Sequence, residues 1–467
     1  MELAELQITE ETFAEIKDKI EKEAPDRDVD TFLEQLDPTD HDVMKKDKRK
    51  DKQKKDSNGT TSTVPVARLP IGLQKLIVGR AAAFLCGNPI QLSCQPTDTA
   101  QKGFLAVIQK VWDDNKLSFK SMELAKMMMG ETECAELWYT LPAEDNYWNG
   151  TAAEGAKFKL RVKMLSRSLG YRLYPVFDQF GNLIAFGCGY DLTKGDKKEE
   201  HFDVFMDNET HKGVKSDNGW SVTKEANPAG KIQIIYYSQP APDWKDVQPL
   251  IDRLETQLSN LADTNDYFGS PIIFVEGEVT GFADKGESGK VLQSKGGAKA
   301  QYLIWDQSPE STKLEMDTLK KLIYTLTNTP DISIEEMKGL GTFSGTALKM
   351  LFLSAHLKAA EKEGIFGEGI QRRINFLKAA ICKIQVSLSK LQALPITPKF
   401  EYFLPKNDQE TIQLLSTAVG TGKPIMSQET AVRNNPLVEN ADVEIEKMKD
   451  DGTLGVEKMQ EPITPEK

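Results

Sequence analysis

The sequence predicts an α+β fold, mainly α, and three observations carry that prediction. Apolar residues recur at three- and four-residue spacing over long stretches, which is the helical signature. One block, Phe158 to Tyr237, is instead rich in alternating runs cut by turn residues, as strands are. Finally, 467 residues with 39% apolar and 28% charged content exceed one ordinary domain yet stay in the globular range, so several packed units are expected.

From the start, residues 1–62 read as an appendage: an acidic segment with helical character to Asp40, the basic run KKDKRKDKQKK (Lys45 to Lys55) as a solvated tail, then flexible SNGTTST. A folded body begins near Pro65. There LQKLIVGRAAAFLCGNPIQL clusters apolar residues, and GNP closes a helix before an extended segment. The block from Phe158 follows as a small β-rich unit, with runs such as FKLRV, YRLYPVF and KIQIIYY separated by FGN, DNG and NPAG.

Between Trp244 and Asp263, Val247, Ile251, Leu254, Leu258 and Leu261 place one apolar stripe along a helix. A second helix, about Ser311 to Thr327, carries Leu319, Leu322, Ile323 and Leu326 on one face. Between the two lie strand candidates around a Gly- and Lys-rich middle. Helix out, β module, helix back describes a protrusion.

The stretch NTPDISIEEMKGLGTFSG has three glycines and no periodicity, so it reads as a loop of functional length. A helix then opens at Ser344. Its stripe resumes after Gly364, Gly367 and Gly369 at Ile370, Ile374, Leu377, Ile381, Ile384, Leu388 and Leu391, giving one long helix kinked or broken at the glycines. KFEYFLP is a strand candidate. Two helical segments follow, with Ser427 as an N-cap, and the chain beyond Asp451 reads as disordered.

Catalytic signatures fail one by one. In GESGKV the phosphate-loop pattern needs glycine where Asp284 stands and Ser or Thr where Val291 stands. In GLGTFSG, Ser344 occupies the third glycine position of a dinucleotide fingerprint. The four histidines lack zinc spacing, and the five cysteines form no CxxC pair and read as buried free thiols. No carboxylates sit paired in an apolar context, so neither catalysis, cofactor nor metal is expected. No stretch reaches the roughly 18 apolar residues of a membrane span, and the acidic start is unlike a secretory signal, so a soluble, intracellularly made protein with no membrane contact is expected. A net charge of −12, from 59 basic and 71 acidic residues, disfavours tight wrapping of nucleic acid.

The order of these elements resembles the portal proteins of long-tailed (siphovirus-type) bacteriophages over about Pro65 to Asp450. LQKLIVGRAAAFLCGNPIQL is similar to that family's helix entering a GxPI-type turn. VWDDNKLSFKSMELAKMMMGETECAELWY is similar to its W-x-x-N-x-L segment, and NPAGKIQIIYYSQP to the strand before the stem. PLIDRLETQLSNLADTNDYFGSPIIFVEG resembles the stem helix with its S-x-x-A-D-x-N-D close, and NTPDISIEEMKGLGTFSGTALKMLF the T-P-D, loop, S-G-x-A-L-K run. In place of the family's frequent Asn-rich stretch before Ser-Gly, this chain has EEMKGLGTF.

The resemblance implies a portal fold. Its wing would be 63–240 with the long kinked helix and wing strand at 345–405, and its stem helices 241–266 and 309–328. A β-rich clip would occupy 267–308, a tunnel loop 329–344, a helical crown 406–450 and a tail 451–467. It implies a ring of about twelve subunits at one capsid vertex of the virion, made in the host bacterial cytoplasm, through which double-stranded DNA is packaged and ejected. Implied partners are other copies of the chain, DNA held weakly and without sequence preference, the large terminase subunit, a head completion (adaptor) protein, and the major capsid and scaffolding proteins. The stripe Val247, Ile251, Leu254, Leu258 and Leu261 would pack the stem, and clip residues Lys285, Lys290, Lys295 and Lys299 would face motor and adaptor. Asp331, Glu335, Glu336, Lys338, Gly339, Leu340, Gly341, Thr342 and Phe343 would form the loop against DNA. If twelve stems pack at ~10 Å, their axes trace a circle about 38 Å across, and removing a ~5 Å helix radius on each side leaves roughly 28 Å, enough for a hydrated duplex. The competing reading is a neck or capsid-associated adaptor with no DNA channel.

Overall fold

The computed structural model describes residues 8–55, 59–195, 197–217, 219–268, 272–276, 279–281, 293–294, 299–303, 309–332, 350, 352–402, 408–420, 424–438 and 440–453. Helix outweighs strand, about 46% to 22%, so the α+β, mainly α expectation holds. The chain forms two compact units, Met1–Thr329 with Leu357–Tyr402, and Pro330–His356 with Phe403–Lys467.

The larger unit opens with helices α1 (Phe13–Glu23) and α2 (Val29–Leu36) and a hairpin of β1 (Lys52–Lys55) and β2 (Thr61–Val64). Then come α3 (Leu73–Cys86), β3 (Gln91–Ser93), α4 (Thr99–Asp114) and α5 (Leu117–Glu131). Asp98 caps α4 by accepting the Gln101 amide at 2.7 Å, and α3 stops at Gly87 as GNP implies. Strands β4 (Glu133–Pro142), β5 (Phe158–Leu165), β6 (Tyr171–Phe177), β7 (Leu183–Lys194), β8 (Lys197–Phe205), β9 (Glu209–Ser216), β10 (Gly219–Ala226) and β11 (Ile234–Ser238) make the β-rich block.

Two antiparallel sheets result, β11-β4-β5 and β10-β9-β8-β7-β6. Alternation along the five-stranded sheet sends Phe186, Cys188 and Phe205 toward Ala135, Leu165 and Tyr236 of the other sheet. Val176, Ala185, Phe202 and Val204 leave by the opposite face, and Phe13, Ile16 and Ile20 of α1 cover them.

That packing corrects the reading of residues 1–62 as an appendage. Phe13, Ile16 and Ile20 stand three and four apart, so a helix brings them to one face, and all three are buried. The charges around them masked a core-forming stripe. Nor is the basic run a free tail: Arg49 is fastened to residues 260 and 263, and Lys52 to Lys55 form β1.

Helix α6 (Gln248–Phe268) and, after β12 (Ile272–Glu276), β13 (Val279–Gly281), β14 (Gln293–Ser294) and β15 (Lys299–Leu303), helix α7 (Pro309–Leu326) realise the helix, β module, helix order. Pairing of β12 with β15 and of β13 with β14 closes the module. Helix α8 (Leu353–Ile384) is the expected single long helix and runs unbroken through Gly364, Gly367 and Gly369, so of the kink or break expected there the break does not occur. The glycines at 367 and 369 serve close packing instead. A Cβ at 369 would lie 2.2 Å from the Tyr237 ring, and one at 367 would touch Phe400 at 3.4 Å. The apolar stripe outlasts the helix, since Leu388 is buried within a 3-10 turn, Val386–Leu391. The strand foreseen in KFEYFLP is not found where expected: β16 (Thr397–Lys399), paired with β3, precedes it and shares only Lys399, residues 400–402 are not strand, and 403–405 lie outside the described residues.

The second unit contains α9 (Asp408–Val419), α10 (Gln428–Arg433) and α11 (Ala441–Asp450). Ser427 caps α10 as foreseen, its Oγ accepting the Thr430 amide at 3.2 Å. The single helical segment expected after Ser427 is in fact two. Asn434 turns its side-chain amide back onto the Thr430 carbonyl, and Pro436 follows. The start of a helix at Ser344 and the chain end after Thr453 lie outside the described residues.

Because the Tyr237 ring occupies the space a side chain at 369 would need, Gly369→Ala is expected to cost ~1–3 kcal/mol. Gly364→Ala, with open space at its Cβ, is expected to be neutral or to gain about 0.5–1 kcal/mol. Thermal unfolding of both variants checks this, and equal midpoints would contradict it.

Candidate functional site

Helix α6 carries two stripes of opposite character. On the apolar one, which buried Val247 of the preceding 3-10 turn extends backward, Ile251 and Leu254 are buried, whereas Leu258 and Leu261 are only half-buried toward the outer end. Helix α7 answers with buried Leu319 and Ile323, and Arg253 Nε donates to Glu315 Oε1 at 2.9 Å across the pair. Yet Leu314, Leu322 and Leu326 stay 69%, 43% and 60% exposed. At 3.6 residues per turn, Leu322 and Leu326 sit within about 60° of Leu319, so the apolar face of α7 is wider than α6 covers.

The second stripe, Glu255, Ser259 and Asp263, recurs every four residues and binds the chain's own N-terminal part. Alternate backbone amides of an extended segment donate to it: Ile71 to Glu255 Oε1 at 2.7 Å, Leu69 to Ser259 Oγ at 3.0 Å, and Ala67 to Asp263 Oδ1 at 2.7 Å. Arg49 adds Nη1 to Asn260 Oδ1 at 2.9 Å, Nη2 to Asp263 Oδ2 at 2.8 Å and Nε to the Ala67 carbonyl at 2.8 Å. His41, buried, sets Nδ1 2.6 Å from Glu255 Oε1 and Nε2 2.8 Å from the Gln35 carbonyl. Acceptors on both ring nitrogens suit the doubly protonated imidazolium. Burial opposes that charge, but the Glu255 hydrogen bond and charge, the Gln35 carbonyl and Asp252 outweigh it and raise His41 above the ordinary histidine value.

The root of the helix pair is a buried charge cluster. Asp243, just before α6, lies 2.7 Å from Lys362 Nζ and 3.0 Å from Lys358 Nζ, both on α8. Lys362 Nζ also donates to Gln239 Oε1 at 3.0 Å, and Lys358 Nζ to the Thr327 carbonyl beyond the end of α7 at 2.9 Å. Burial pushes the Asp243 carboxyl up, but the two ammonium groups overcome it and hold the acid below the usual aspartate value. For Lys358 burial prevails, and its pKa is lowered despite Asp243. Further along α8, Arg373, fully buried, forks onto Glu136 of β4, with Ser121 Oγ accepting from Nη1 at 3.0 Å.

Residues 19–453 match the family model described as phage portal protein, SPP1 Gp6-like. The chain belongs to that phage portal family. Its role is therefore that of a component of the phage portal. Among solved structures, the neck of an empty GTA particle computed with C6 symmetry is similar, at 12% identity over 78% of this chain and 90% of that one, with a TM-score of 0.42. The neck of a native GTA particle computed with C12 symmetry is similar at 13% identity over 78% and 88%, with a TM-score of 0.39. No curated protein sequence matches the chain.

In portal terms, the foreseen stem residues share one helix face, with burial fading outward. Of the clip lysines, Lys299 is exposed on β15, while Lys285, Lys290 and Lys295 lie outside the described residues. Of the loop residues, Asp331 is half-buried, and Glu335, Glu336, Lys338, Gly339, Leu340, Gly341, Thr342 and Phe343 lie outside them. Sequence reasoning missed the polar stripe, although Ser259 and Asp263 are the first and fifth residues of the portal-like S-x-x-A-D-x-N-D close. Among the described residues no group is placed to hold a metal ion, and no helix is long and apolar enough to cross a membrane.

Because the His41 pKa is raised on folding, its stabilising contribution is complete below the unfolded value of about 6.5 and is lost as pH rises through the folded value. Protection of the Ile71 amide from hydrogen exchange, corrected for intrinsic rates, should therefore weaken as pH rises above the unfolded histidine value of about 6.5. It should be pH-independent in His41→Gln. Asp243→Ala would leave Lys358 and Lys362 buried without their counter-charge, and is expected to cost roughly 3–5 kcal/mol in chemical denaturation. A cost below about 1 kcal/mol would mean that the cluster does not anchor α6 and α7.

Proposed function

We propose that this chain is the portal subunit proper, assembling into a ring of about twelve around a channel for double-stranded DNA at one capsid vertex. The observation that carries the reading is the uncovered flank of α7. Leu322 and Leu326 border a face already half-used by α6, and a neighbouring subunit's stem would cover the rest, as side-by-side helices in a ring require. The half-buried Leu258 and Leu261 on α6 supply a matching surface.

In this reading the stem is 241–266 with 309–328, and the clip, 267–308, meets the terminase motor during packaging and the head completion protein afterwards. The loop 329–344 follows α7 and lines the narrowest part of the channel. Its one cation, Lys338, is surrounded in sequence by Asp331, Glu335 and Glu336, so attraction to phosphate is largely offset. The net charge of −12 fits a conduit, because each neutralised phosphate adds counterion-release affinity that would slow sliding. Capsid and scaffolding proteins would hold the ring at its vertex.

Leu322→Asp combined with Leu326→Asp alters residues that are exposed in the single chain. The variant subunit should keep its thermal midpoint while losing rings with a central hole in negative-stain images. Leu254→Asp, at a 5% exposed position, should lose both, at a cost of several kcal/mol for a charge buried against apolar side chains. Normal rings from the double variant would overturn the proposed contact, and an absence of rings from wild-type protein would overturn the portal-subunit reading.

A further inference from the structure

Beyond the Arg49 and Lys52 contacts to α6, most cations of the basic run take no part in the contacts described so far, and the hairpin is built as if to present charge. From Lys45 to Lys55 the chain has eight cations against Asp47 and Asp51. Three are committed to the fold: Lys45 pairs with Glu34 at 3.0 Å, Arg49 binds Asp263, and Lys52 leans toward Asp263 at 3.7 Å while remaining 67% exposed. Lys46, Lys48, Lys50, Lys54 and Lys55 are exposed, and none makes an ion pair among the described residues. Every residue of β1 and β2 is exposed.

The hairpin is also held in place. Arg49 and Arg68 brace its base: Arg68 Nη2 donates to the Arg49 carbonyl at 2.8 Å and to Asp51 Oδ1 at 2.7 Å, and the Val66 amide donates to Asp51 at 3.3 Å. The base thus sits against residues 260 and 263, in the outer part of α6. Much of the entropy that a disordered basic tail would lose on binding has already been lost on folding.

Its chemistry selects the partner. Opposite Lys52, Gln53, Lys54 and Lys55 stand Val64, Thr63, Ser62 and Thr61, so apart from Val64 both strands present ammonium, amide and hydroxyl groups. Protein interfaces deplete lysine at their centres and favour aromatic anchors, of which this hairpin has none. Lysine with Ser, Thr and Gln is the set that contacts nucleic-acid backbones. Base reading draws on Arg forks in the groove, and both nearby arginines are already bound within the fold.

We propose that the β1–β2 hairpin, held against the outer part of α6, is a sequence-independent contact for the phosphate backbone of double-stranded DNA. The inference rests on the portal reading for the presence of DNA, but its test does not. Full-length wild-type protein and a Lys52→Gln, Lys54→Gln, Lys55→Gln variant are titrated against a fluorescent random-sequence duplex over a range of salt. Wild type should bind with a log affinity that falls linearly with log salt. The triple variant should fold with an unchanged thermal midpoint and show a slope shallower by about 2 to 3, at ~0.9 per lost phosphate contact. Wild-type affinity and slope in the variant would overturn the proposal, as would tighter binding of poly-glutamate than of the duplex, which would indicate an acidic protein partner. Wild type that forms rings but binds no duplex would overturn this inference and leave the proposed ring standing. Hairpin-dependent duplex binding without rings would do the reverse.

Discussion

A pair of helices that leaves a folded body and returns to it must be fastened at its root, and here one buried carboxylate does most of the fastening. Asp243 precedes α6 and draws Lys358 and Lys362 of α8 into an apolar surround. Lys358 then reaches the Thr327 carbonyl, where α7 has just ended. Groups at the end of a helix carry partial negative charge, so an ammonium there is favourable twice over. A single side chain of α8 therefore holds the lead into α6 and the end of α7. Buried ion pairs contribute little net stability after desolvation, but they penalise every arrangement that leaves them unpaired. The cluster accordingly sets where the helices leave the body more than how tightly the body holds together.

Helix α6 is divided by the same logic. Its apolar stripe meets α7 and continues outward half-covered, while its polar stripe is spent inside the chain on the segment from Ala67 to Ile71. The N-terminal residues thereby become part of the support of α6. Their helix α1 closes one face of the five-stranded sheet, their His41 pairs with Glu255, and their hairpin stands beside residue 263.

Much of this was legible from residues alone, and the limits have physical causes. The apolar stripe from Val247 to Leu261 and the turns around β5 to β11 could be read because periodicity is a local property. The packing of α1 could not, because three large apolar residues among seven charges look like a solvated face until a sheet about 160 residues away supplies the other side. Glu255, Ser259 and Asp263 posed the same difficulty: polar residues four apart ordinarily face water, and only backbone amides from residues 67 to 71 reveal them as acceptors. Lys358 and Lys362 sit in KAAEKE, which reads as exposed helix, and their partner Asp243 is more than a hundred residues earlier. The glycines of α8 stand out in the sequence, but glycine marks close approach as readily as a bend, and only the Tyr237 ring beside Gly369 reveals the close approach.

The ladder between α6 and the extended segment behaves as a vernier. Alternate amides of an extended chain repeat every ~6.6 Å, whereas helix positions four apart repeat every ~6.0 Å, so each rung slips by roughly 0.6 Å. Three rungs accumulate a little over an ångström, which hydrogen bonds tolerate, and further rungs would fall out of step. The chain stops at that limit on both sides. The next rung outward would need an N–H from Pro65, which has none, and the next inward would meet Ile251, which offers no acceptor. Two scales that agree over only three marks also fix each other's zero. Inserting one residue between Ala67 and Ile71 would turn an amide away from its mark, so the lengths of these two distant stretches of sequence are bound to change together or not at all.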